Sequence, residues 1–104
     1  MRYTPDRWVV LKIVSEEYGT IEKVLAGWYG GYADTDRWQM NSGIIEKVEF
    51  EDRWEFHGYS GSVYICYKGS YGLTSLTGSI FDTLVEKSKD IATVEIVKGY
   101  IRHE

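Results

Sequence analysis

The chain has 104 residues, 43% of them hydrophobic and 27% charged, which suits one globular domain and excludes general disorder. A net charge of -4, with twelve basic residues scattered from Arg2 to Arg102, provides no basic stripe for nucleic-acid backbones. No apolar run approaches the roughly 20 residues that span a bilayer, and Met1–Asp6 lacks the apolar stretch of a secretory leader. These features predict a cytoplasmic protein with no membrane association. Cys66, the single cysteine, has no internal disulfide partner, in keeping with a reducing compartment.

Residues 7–14, Arg-Trp-Val-Val-Leu-Lys-Ile-Val, are β-branched and aromatic and predict a strand apolar on both faces. After a polar turn at 15–19, residues 20–29 predict a second strand. Glycines and aspartates over 30–37 predict a loop, and Asn41-Ser42-Gly43 a turn. A third strand over 44–50 is expected to place Ile44, Val48 and Phe50 on one side. Glu51-Asp52-Arg53 then turns into strands at 54–59 and 62–67.

Between 74 and 90 the apolar period lengthens: Leu76, Ile80, Phe81, Leu84 and Val85 fall three to five apart, as on one helical face. Ser75 or Thr77 is the expected cap. Residues 93–101 alternate again as a closing strand. The predicted fold is one α+β domain over 1–104: an antiparallel sheet of five to six strands with one helix between the last two strands. A small, partly closed barrel is the competing architecture.

A two-residue turn at Ser60-Gly61 would set Tyr59 opposite Ser62, His57 opposite Tyr64 and Glu55 opposite Cys66. Trp54, Phe56, Val63, Ile65 and Tyr67 would then face the core. Glu55, His57, Tyr59, Ser62, Tyr64 and Cys66 would form a mixed polar and aromatic face.

Residues 26–43 carry the densest functional signal, with two tryptophans, two tyrosines, four glycines and five short polar or acidic residues. Rigid aromatic faces beside adaptable polar groups suit a recognition surface. The expected partner- or ligand-binding set is Trp28, Tyr29, Tyr32, Asp34, Asp36, Arg37, Trp38 and Asn41, joined by His57, Tyr59 and Tyr64 from the hairpin. Against this, Trp28 and Trp38 could fill the core, and Asp34 and Asp36 more often cap turns.

Enzyme motifs are missing. Glu55, His57 and Cys66 share the grammar of nucleophilic catalysis, but a regular hairpin offers neither a thiol-activating helix terminus nor an oxyanion hole. The glycine-rich segments match no phosphate loop. Too few ligands occur for calcium or structural zinc, so neither cofactor nor metal is expected. Glu46, Glu49, Glu51, Asp52 and Glu55 read as a solvated hairpin tip tempered by Lys47 and Arg53.

The segments Tyr3–Val10, Gly27–Tyr32, Asn41–Ile44 and His57–Tyr64 resemble a group of small proteins encoded by tailed phages, over roughly the first seventy residues. The resemblance brings no activity or site residue. It implies a compact factor that binds and disables a host protein or sequesters a defence signal. The expected function is therefore a non-catalytic binding protein, a phage counter-defence or host-takeover factor acting by occlusion in the host cytoplasm. The alternatives are a nucleotide-signal sponge, binding in a pocket or at a homodimer interface, and the Cys/His enzyme reading.

Overall fold

The computed structural model describes residues 1–30 and 35–101. Eight strands and one longer helix follow in order: β1 (Arg2–Tyr3), β2 (Arg7–Ser15), β3 (Gly19–Trp28), β4 (Arg37–Met40), β5 (Ile44–Glu49), β6 (Arg53–Gly58), β7 (Val63–Tyr67), α1 (Ser75–Ser88) and β8 (Ala92–Ile96). The α+β class and the helix between the last two strands stand as expected. The single sheet does not: the strands form two four-stranded sheets, β1-β7-β6-β5 and β4-β3-β2-β8.

The second sheet is the middle of three layers. On one face, Trp8, Val10, Val24 and Ala26 meet Phe56, Tyr64 and Cys66 of the first sheet. On the other, Val9, Leu11 and Leu25 meet Ile80, Phe81 and Leu84 of the helix. Burial on both sides explains why β2 is apolar at successive positions, since alternation appears only where one face meets water. The outer face of the first sheet has no covering layer among the described residues.

Two further strands lie outside the expected set. β1 pairs parallel to β7, and β4 pairs antiparallel to Leu25–Trp28 of β3. Two residues and four residues are too short for a periodicity to register. The closing strand is shorter than predicted: it stops at Ile96, and Lys98–Tyr100 makes a 3-10 turn. That turn brings the Tyr100 ring to 5.3 Å from Trp54 and 5.7 Å from Trp8, centre to centre.

The β6–β7 hairpin is offset by one residue from the predicted register. Phe56 pairs with Tyr64, Trp54 with Cys66 and His57 with Val63. Gly58 donates its N–H to Ser62 O and Gly61 donates to Gly58 O, so three residues, 59–61, make the loop. Gly61 at φ 89° supplies the left-handed conformation that such a loop needs. Side chains alternate, so this shift sends Tyr64 and Cys66 inward and Val63, Ile65 and Tyr67 outward. A register shift between Ile44 and Glu46 has the same effect on β5. Ile44 faces the core opposite Gly58, whereas Val48 pairs with Glu55 on the outer face, which separates residues expected to lie together.

Helix α1 starts at Thr74 rather than at either expected cap. Thr74 Oγ1 accepts the Thr77 N–H at 3.0 Å, and Thr77 Oγ1 accepts the Thr74 N–H at 2.8 Å. This reciprocal capping box gives Thr77 a supporting role and satisfies two backbone donors at a buried helix start.

Candidate functional site

Where β3 meets β4, four side chains or their neighbours are held by short-range chemistry. Trp28 Nε1 donates to Thr4 O at 3.0 Å, and Tyr29 N donates to Asp6 Oδ2 at 2.9 Å. Gly30, at φ 59°, donates its N–H to Asp36 Oδ1 at 2.8 Å. Asp36 thus has the turn-capping role weighed against ligand binding. Arg37 places its guanidinium carbon 5.2 Å from the centre of the Trp28 ring, a cation–π distance. Trp28 itself is half-buried, packing on the inter-sheet core with its edge toward Tyr3.

β4 alternates across its two faces. Arg37 and Gln39 lie on the side of the first sheet, where Gln39 Nε2 donates to Tyr64 Oη at 2.8 Å. Met40 packs with the helix-side cluster, so Trp38, two residues before it, lies on that side of the edge strand. The Trp38 side of β4 neighbours Gly27, its pairing partner, and Gly27 lies directly against Thr74 and Thr77 at the helix start. Trp38 keeps 44% of its surface exposed and Tyr29 keeps 53%. Tyr29, Arg37 and Trp38 therefore lie at the same end of the β3–β4 ladder, with Arg37 and Trp38 on opposite faces of β4.

Asn41 is not part of that surface. It is 4% exposed, and its backbone N–H and side-chain Oδ1 take the two ladder bonds of Val24, ending β4 and releasing the chain toward the other sheet. Tyr64 is buried, and burial raises its phenol above the usual range, with the Gln39 bond opposing that shift. Both expectations as binding residues are corrected: burial removes them from any partner. Tyr59 is 71% exposed beside the same corner, its ring against Gly43 and its N–H bonded to Gly43 O. His57 lies on the outer face of the first sheet, across from Val63 and Glu46. Tyr32 and Asp34 lie outside the described residues.

The Glu55, His57 and Cys66 constellation is not assembled. Cys66 points into the core opposite Trp54, while Glu55 and His57 face outward. Burial pushes the Cys66 thiol up, so it stays protonated at neutral pH. We expect a thiol reagent to modify the native chain at least about a hundredfold more slowly than the urea-unfolded chain. Equal rates would show that Cys66 is accessible. Glu55 instead accepts Arg53 Nε at 3.0 Å and lies 3.7 Å from Arg2, while Lys68 holds Glu49 at 2.6 Å. Asp52 pairs with Arg53 at 2.9 Å, so three of the five carboxylates are ion-paired, while Glu46, Glu49, Glu51 and Asp52 remain exposed as expected of a solvated tip.

Sequence reasoning missed Asp6, Thr4 and Gln39, which brace this end of the molecule. Their partners lie 23, 24 and 25 residues away along the chain, beyond the reach of local spacing. Compared with known proteins, the chain matches no family model, no curated protein and no solved structure. No helix among the described residues is long and apolar enough to cross a membrane.

Proposed function

We propose that this chain is a non-catalytic binding protein that occludes a host protein, as a phage counter-defence or host-takeover factor, and that it grips through Tyr29, Arg37 and Trp38. The observation that carries the reading is the exposure of Trp38 and Tyr29 at a braced strand end, with an exposed Arg37 on the other face of the same strand. These are the residue types that dominate binding energy at protein interfaces. They are held before a partner arrives, because Asp6 and Asp36 fix the flanking backbone. The phage setting comes from the sequence resemblance alone.

Two open grooves give less support to a nucleotide sponge. One, of about 620 Å³, has Glu16, Glu17 and Asp90 against Lys89 on its walls. The other, of about 490 Å³, sets Glu22 and Glu95 against Lys12 and Lys98. The first lining is net negative and the second charge-balanced, so neither offers the surplus of positive charge that would hold a phosphate.

A Tyr29→Ala/Trp38→Ala variant tests the proposal in a pull-down from bacterial lysate quantified by mass spectrometry. Capture of the partner should fall roughly thirtyfold, equivalent to about 2 kcal/mol, while the melting temperature moves by no more than a few degrees. Undiminished capture would remove the surface from the proposal, and unfolding would show that the two rings serve the core.

A further inference from the structure

We infer that two copies of this chain pair antiparallel through β8, joining their middle sheets into one eight-stranded sheet; this does not rest on the Trp38 surface. The four edge strands of the two sheets are β1, β5, β4 and β8. Edges normally carry a device against pairing: shortness, a bulge, charge or proline. β1 has two residues and β4 four, and β5 carries a register shift with Glu46, Lys47 and Glu49. β8, Ala-Thr-Val-Glu-Ile, has five residues, no proline, no register shift and a single charge.

The phase of its free hydrogen bonds follows from its bonded side. Val97 N donates to Val10 O, so Val97, Glu95 and Thr93 direct their backbone groups at β2. Ala92, Val94 and Ile96 direct theirs away, toward the open edge. A twofold axis through Val94 then sets Val94 against Val94 of the second copy, and Ala92 against Ile96 twice. All three pairs are of the hydrogen-bonded kind, giving six ladder bonds.

Side chains select the same register. With the axis at Val94, the residues flanking β8 meet at each end of the pairing, bringing the turn that holds Asp90 and Ile91 beside the start of the 3-10 turn at Val97 and Lys98 of the second copy. Asp90 and Lys98 are both exposed, and neither has an ion-pair partner among the described residues. Ile91 is 76% exposed, so this alignment also covers a large apolar side chain. Moving the axis to Glu95 would set Glu95 against itself. Moving it to Thr93 would set Asp90 against Ile96. Opposite charges and apolar neighbours coincide at Val94.

Sedimentation velocity on the full chain, over a concentration series up to the millimolar range, provides the test. The wild type should reach twice the 12.0 kDa chain mass. Val94→Pro removes an outward N–H at the centre of the pairing and should leave a monomer. Asp90→Lys and Lys98→Asp should each raise the dissociation constant roughly tenfold by setting like charges opposite, and the double swap should restore it. If Val94→Pro unfolds, the charge series decides alone. A wild type monomeric throughout the series, or a dimer whose strength ignores the charge reversals, overturns the pairing.

Discussion

Trp8→Ala is expected to lower the free energy of unfolding by about 3–5 kcal/mol, a large share of the roughly 5–15 kcal/mol that holds a chain of this size. Trp8 is completely buried on the middle sheet and faces the first sheet. Its ring centre lies 4.6 Å from Tyr71 and 5.6 Å from Phe56, and its Nε1 donates to Tyr67 O at 2.7 Å. The one side chain thus fills the space between two sheets and bonds across it. Alanine leaves a cavity that packed strands cannot close and deprives a backbone carbonyl of its donor. Trp8→Phe keeps much of the volume and loses the bond, so it should cost less, about 1–3 kcal/mol. Urea titrations of the two variants measure the difference. Equal midpoints would mean that the cavity term is absent.

The second large effect concerns a residue with no side chain. A Cβ on Gly27 would lie 2.9 Å from the γ-methyl groups of both Thr74 and Thr77. Those methyls cannot swing aside, because their hydroxyls are committed to the capping box. Gly27→Ala should therefore cost about 1–3 kcal/mol by forcing the helix start away from the sheet. Thr74→Ser with Thr77→Ser keeps both hydroxyls and deletes both methyls, so it should relieve most of the loss. Thermal unfolding of the single, double and triple variants forms the cycle. A Gly27→Ala penalty of equal size in the serine background would assign the cost to something other than this contact.

The candidate site was partly legible for the same reason that the two sheets were not. Tyr29 stands beside glycines, a local composition that already speaks of exposure, whereas nothing around Trp38 in the sequence says which way its indole points. Asn41 and Tyr64 look equally polar and aromatic along the chain, yet both are buried. Their fate depends on Val24 and Gln39, contributed by other strands. The hairpin teaches the same lesson at single-residue scale. Ser60-Gly61 marks the turn correctly, but a third loop residue reverses which face of β7 meets the core.

From the sequence alone came the α+β class, the positions of the longer strands, and the helix between the last two of them. Those are local properties, carried by β-branched runs, turn residues and the change of hydrophobic period from two toward 3.6. Only the tertiary structure decided that the strands divide into two sheets, that the middle sheet is covered on both faces, and which aromatic rings are left in water. Such outcomes depend on pairings between segments distant in the chain, where one residue of register exchanges inside for outside.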